Sequence, residues 1–155
     1  MKKLVVLFAL MAAIPLVAAD KSTWSDGITI QGVGVAYTQN LRHYDNEVGA
    51  RLAYDVTDRF SVEGQVTGQE ADRGSAVDHG SAGVRVGLTK PQKWGQVVVP
   101  VGFGMAFPDK QGYGYGGIGY RIGGKHWSIG CDVNYGAPLD GKRFFFGTLA
   151  GGLKF

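Results

Sequence analysis

From Gly27 onward the chain repeats one pattern, an alternating run and then a break. Apolar residues recur at every second position, the period of a strand with one oily face. The second run sets Val48, Ala50, Leu52 and Tyr54 against Glu47, Gly49, Arg51 and Ala53. The third sets Phe60, Val62, Gly64 and Val66 against Ser61, Glu63, Gln65 and Thr67. The fourth sets Ala82, Val84, Val86 and Leu88 against Ser81, Gly83, Arg85 and Gly87. In the fifth, Val97, Val99, Val101, Phe103 and Met105 oppose Val98, Pro100, Gly102 and Gly104; Pro100 has no N–H to give a ladder, which predicts a bulge or local gap there. The seventh sets Trp127, Ile129, Cys131, Val133 and Tyr135 against Ser128, Gly130, Asp132 and Asn134. The last sets Phe145, Gly147, Leu149, Gly151, Leu153 and Phe155 against Thr148, Ala150, Gly152 and Lys154.

Two runs change phase when read by hydropathy. In the first, Gly27 to Tyr37, Ile28 and Ile30 share one face but Val33 and Val35 share the other. In the sixth, Tyr113 and Tyr115 lie on one face and Ile118, Tyr120 and Ile122 on the other. A bulge near Gly32 or Gly34, and another at Gly116-Gly117, would keep the apolar side chains together.

The breaks read as hairpin connections. Val56-Thr57-Asp58-Arg59, Lys90-Pro91-Gln92-Lys93 and Gly123-Gly124 are tight; the stretches 39–45 and 69–78 are longer and polar. The connections at Pro108 to Gln111 and at Ala137 to Gly141 are short. Eight strands joined by hairpins would expose two edges if left open, and closure removes them. The predicted fold is all-β, an eight-stranded antiparallel up-and-down transmembrane β-barrel.

Three features place the oily face outside. Arg51, Glu63, Arg85 and Asp132 share their face with Gly49, Ala53, Gly83, Gly87 and Gly130. Glycines on a solvated exterior weaken strands, whereas inside a narrow eight-stranded barrel they leave room for long side chains. Aromatics gather at both sets of strand ends: Tyr54, Phe60, Trp94, Trp127 and Phe155 at one, Phe107, Tyr113, Tyr135 and Phe145 at the other. Two such girdles mark two membrane interfaces. The third feature is the oily last strand, which ends on Phe155. Buried ions need partners, so Glu47, Arg51, Glu63, Arg85, Asp132 and Lys154 are expected to form an interior charge network. Glu47 or Glu63 with Arg51 or Arg85, and Lys154 with Asp132, are the candidate pairs. A satisfied plug is expected in preference to a gated polar core.

The N-terminus predicts export. Lys2 and Lys3 precede an apolar run from Leu4 to Ile14, Pro15 breaks it, and Val17-Ala18-Ala19 supplies a cleavage site. Residues 1–19 read as a signal peptide and 20–155 as one barrel domain. The net charge of +3 includes Lys2 and Lys3, so the exported part is near neutral, with no basic patch for nucleic acid. Cys131 is the only cysteine, which excludes an intramolecular disulfide. It is expected to face lipid as a small apolar filler.

Two stretches resemble a known family. Tyr54-Asp55-Val56-Thr57-Asp58-Arg59-Phe60-Ser61-Val62-Glu63 is similar to a strand-turn-strand hairpin of the small outer-membrane barrels of the OmpA/OmpX/Ail type. Leu149, Gly151, Leu153 and Phe155 resemble the C-terminal assembly signal that the barrel-insertion machinery reads. The resemblance implies a monomer in the outer membrane of a Gram-negative envelope, in contact with lipid and lipopolysaccharide, with the barrel-assembly machinery as its partner during insertion. The loops are shorter than those of the adhesin-like members, and no peptidoglycan-binding domain is expected after Phe155.

Catalytic candidates are few. His79 and Ser81 share a face, with Asp78 or Asp72 as a possible acid, which is the set acyl transfer requires. His126 and Ser128 have the same spacing and resemble the His-x-Ser of lipid A 3-O-deacylases, but sit at the opposite end and lack a following Glu. His79 and Ser81 point to the polar inner face, away from lipid substrate. His43 stands alone in a loop, and no cluster has metal-ligand spacing. The expectation is a non-enzymatic envelope protein without cofactor, with a structural or loop-mediated role. A lipid A acyl hydrolase and a narrow, porin-like channel are the alternatives.

Overall fold

The computed structural model describes residues 27–37, 46–69, 77–107, 110–139, 141 and 143–155. The export segment, His43 and Asp72 lie outside these residues. Eight strands run in chain order: β1 Gly27–Tyr37, β2 Glu47–Asp55, β3 Phe60–Gly68, β4 His79–Gly87, β5 Gln96–Ala106, β6 Gln111–Gly123, β7 Trp127–Pro138 and β8 Phe144–Lys154. Each pairs antiparallel with its sequence neighbour, and β8 closes on β1. The fold is the closed eight-stranded up-and-down barrel, with no free edge.

Alternation holds without a slip. The β1–β2 register runs from Gly27↔Asp55 to Val35↔Glu47 with no inserted residue. The β6–β7 register runs equally unbroken from Tyr113↔Pro138 to Gly123↔Ser128. Neither expected bulge exists. Val33 and Val35 turn inward with Thr29 and Gln31, and Tyr113 turns inward with Arg121. Hydropathy misplaced them because the barrel has a second, apolar zone inside. Pro100 does leave a gap: the β5–β6 pairing lapses between Val98↔Gly119 and Val101↔Gly116 and resumes in the same register. β7 continues through Ala137 and Pro138, which had been assigned to a loop.

The end where β1 begins carries the tight connections. In the turn 56–59, Val56 N–H donates to Phe60 O at 2.9 Å, and Thr57 Oγ1 accepts from Phe60 N–H at 3.0 Å. A threonine hydroxyl that takes backbone donors in this way fixes a turn locally. Gly95 closes the 88–95 connection at φ +128°, where a Cβ would lie 2.7 Å from Arg121 O and 2.5 Å from the Tyr120 ring. Only glycine fits such a position without strain.

The exterior is oily. Ile28, Ile30, Leu52, Val62, Val66, Val101, Ile118, Val133 and Leu153 are all exposed. Tyr54, Trp94 and Phe155 stand out at the tight-turn end, and Phe103, Phe107 and Phe145 toward the other. Tyr113 is the exception to the expected girdles, since it is buried in the barrel. Among the described residues no helix is long and apolar enough to cross a membrane. The eleven residues of β1 span roughly 33 Å at about 3.3 Å per step. At the usual barrel tilt of about 35–45°, that is roughly 23–27 Å of height, close to the ~25 Å apolar band of membrane barrels.

Candidate functional site

The chemistry of this chain lies inside the barrel, and strand alternation puts it there. Every strand delivers its polar positions to one lumen, where no bulk solvent screens them. The lumen divides into three zones along the axis.

At the tight-turn end, Asp55 takes two cations. Its Oδ1 lies 2.9 Å from Arg121 Nη1 and its Oδ2 lies 2.9 Å from Lys154 Nζ. Arg121 Nε donates to Gln96 Oε1 at 2.8 Å, and Gln96 is fully buried. Above this is a quartet of two arginines and two carboxylates. Arg85 Nη2 lies 2.8 Å from Asp132 Oδ2 and 3.1 Å from Glu63 Oε2. Arg51 lies 3.6 Å from Asp132 and 3.7 Å from Glu63, and donates to Gln65 Oε1 through Nε and Nη2 at 3.0 and 2.8 Å. Thr148 Oγ1 adds a 2.7 Å bond to Asp132 Oδ2.

The glycines make this possible. A Cβ at Gly119 would come within 3.0 Å of Asp132 Cγ. Gly83 and Gly102 lie opposite each other beneath the Tyr115 hydroxyl, where a Cβ would sit 2.7 and 2.6 Å from it. Small residues at these points are the space in which long side chains cross the lumen.

Toward the loop end, Glu47 is fully buried. Its Oε1 lies 2.6 Å from His79 Nδ1, so a proton sits between them. Its Oε2 accepts from Thr67 Oγ1 at 2.6 Å and from the Tyr37 hydroxyl at 3.3 Å. Around this group Val33, Val35, Tyr113, Phe144, Phe146 and Ala150 form an apolar cluster, with Tyr37 and Tyr115 against it. Tyr113 meets Phe144 edge-on at 5.2 Å, and Tyr37 leans on His79 at 5.3 Å. Aromatic pairs in these offset and edge geometries attract beyond their burial.

The six expected network residues therefore fall into three groups. Arg51, Glu63, Arg85 and Asp132 meet one another. Lys154 pairs with Asp55, not with Asp132, because it stands on the last inward position of β8 while Asp132 is level with Thr148. Glu47 pairs with His79, not with an arginine, since the Thr67↔His79 pairing brings the imidazole to the loop end. Sequence reasoning put His79 and Gln65 on the polar inner face without giving them partners, and passed over Asp55, Arg121 and Gln96 as members of the lumen. Asp55 shares the parity of Glu47 and Arg51, Gln96 shares that of Val98, and Arg121 lies between Tyr120 and Ile122 on the opposite face, which carried the signal.

The catalytic candidates separate. His79 has Glu47 as its acid neighbour in place of Asp78, whose Oδ2 instead accepts from Gln69 N–H at 2.8 Å. Ser128 faces the lumen and accepts from Gln31 Nε2 at 2.7 Å, whereas His126 is exposed in the turn. Cys131 is exposed on the outer face. Leu149, Gly151, Leu153 and Phe155 occupy the outward positions of β8, with Leu153 and Phe155 well exposed. Among the described residues no group of His, Cys, Asp and Glu could hold a metal ion.

No family model matches the chain, and no curated protein matches it. Among solved structures it is similar to the N-terminal β-barrel domain of Pseudomonas aeruginosa OprF, at TM-score 0.65 and 14% identity over 84% of this chain and 98% of that one. The chain shares its fold with that domain, a closed eight-stranded antiparallel barrel.

Proposed function

We propose that this protein is an integral outer-membrane barrel with a structural, envelope-integrity or loop-mediated role, and not an enzyme. One observation carries the reading: the side chains are sorted, with ions and amides inside and exposed isoleucines, leucines and valines outside. A water-soluble barrel would need the opposite sorting. The similarity to an OprF barrel domain supports the same reading.

In this reading residues 1–19 are removed on export and 20–155 are folded by the barrel-assembly machinery, with Leu149, Gly151, Leu153 and Phe155 as its signal. The tight turns face the periplasm and the longer connections face outward, where lipopolysaccharide surrounds them. The lumen supports a plug: three bonded groups cross it, and an inner cavity of about 30 Å³ lies beside Asp55, Glu63 and Arg121. That pocket has room for one or two waters. The His79–Glu47 pair faces this lumen against the rings of Tyr37 and Tyr113, and not the lipid side, which supports the non-enzymatic reading.

The test has two arms. Cells that make His79→Ala/Ser81→Ala protein are expected to give lipid A of unchanged mass, and the purified barrel is expected to leave planar bilayers silent. A shifted lipid A mass would establish the hydrolase, and stepwise conductance would establish the pore.

A further inference from the structure

The tight-turn end carries a charge that the lumen does not absorb. Arg59 in turn 56–59, Lys90 and Lys93 in 88–95 and Lys125 in 124–126 are all exposed. Among the described residues of these turns, Asp58 is the only acid; a carboxylate at Phe155 would add one more.

Hydrogen bonds tie the first two turns to each other, and Lys154 N–H holds the third to β8 by donating to His126 O at 3.0 Å. Gly87 N–H donates to Arg59 O at 2.7 Å, which extends the ladder into the first turn. Gln96 Nε2 bridges the first two turns, donating to Asp58 O at 3.1 Å and to Thr89 O at 2.7 Å. Arg121 Nη2 reaches Asp58 O at 3.4 Å, and the Tyr120 hydroxyl donates to Trp94 O. Arg59, Lys90 and Lys93 are thus displayed by two turns whose backbones share partners from the barrel wall.

Their depth is set by their neighbours. Arg59 precedes Phe60 and Lys93 precedes Trp94, and both rings are exposed. Trp94 is stacked on Tyr120 at 14°. Lys125 lies two residues before Trp127. Interfacial aromatics sit at headgroup level, and one residue is a step of about 3.3 Å. This sets Arg59, Lys93 and Lys125 at the level of lipid phosphates, with their stems free to lie along the ring belt, and Lys90 stands in the same turn as Lys93.

We propose that this end is a binding surface for anionic phospholipid headgroups, which Arg59, Lys90, Lys93 and Lys125 engage around the periplasmic rim. It rests on the membrane reading above. A headgroup with net negative charge is favoured over a zwitterionic one because no ammonium group offsets its phosphate. A soluble polyanion would leave the adjoining exposed rings without a role.

The test uses the exported chain folded into phosphatidylcholine vesicles with trace spin-labelled phosphatidylglycerol or phosphatidylcholine. The motionally restricted fraction of each label gives its relative association with the barrel. Phosphatidylglycerol should be favoured by about fivefold at low salt, and the preference should fall toward one at molar salt. R59Q/K90Q/K93Q/K125Q should abolish it while K110Q/R143Q, at the other end, leaves it intact. Equal association of the two labels with a folded barrel would overturn the proposal. So would a preference that survives in R59Q/K90Q/K93Q/K125Q or disappears in K110Q/R143Q. If neither label is restricted, the chain is not in the bilayer, and the membrane reading falls together with this one.

Discussion

Arg85 makes the closest ion pairs of the quartet, at 2.8 Å to Asp132 and 3.1 Å to Glu63. Removing it leaves two buried carboxylates to share Arg51. Breaking a buried pair from one side costs about 3–5 kcal/mol. Arg85→Met should therefore lower the unfolding free energy in vesicles by about 3 kcal/mol or more, measured in urea. Arg143→Met, an exposed change, should stay within about 0.5 kcal/mol. Equal effects would mean that the quartet holds nothing. Gly95 makes a different demand, because its φ of +128° and the Tyr120 ring both oppose a side chain. Gly95→Ala should cost more than about 1 kcal/mol, read as an earlier loss of the compact band on heating.

At the scale of the strand, alternation was legible wherever one face was polar throughout. β2, β3, β4, β5, β7 and β8 kept the faces that counting in twos assigned to them. β1 and β6 did not, and the cause is physical. Hydropathy assumes one apolar side, but this barrel seals its loop end with inward valines and aromatic rings. Thr29 and Gln31 already fixed the parity of Val33, and Arg121 fixed that of Tyr113. Reading outward from the polar residue would have placed both. The charge partners were less legible, because strand stagger decides which inward residues share a level. That stagger appears only in the registers, such as Asp132↔Thr148. Labelling tests the phase of β1. In a Cys131→Ala background, Ala36→Cys should react with a membrane-soluble maleimide while Val35→Cys stays protected. The reverse result would restore the bulge.

At the scale of the whole molecule, the side chains are sorted by solvent. Leu52 is 56% exposed and Arg51 beside it 3%, a difference that only an apolar surrounding makes favourable. A cation placed on the outer face should cost about 2–4 kcal/mol near mid-membrane, so Leu52→Arg should destabilise the inserted barrel by that amount in urea titrations. The most direct measurement is electrophoretic mobility of the exported chain, boiled and unboiled, after refolding with lipid vesicles and, separately, in buffer alone. The account predicts a fast, compact band in the unboiled lipid sample, its collapse to the unfolded position on boiling, and no such band from buffer. A compact, stable and fully soluble protein in buffer, with no shift on transfer to lipid, would contradict it.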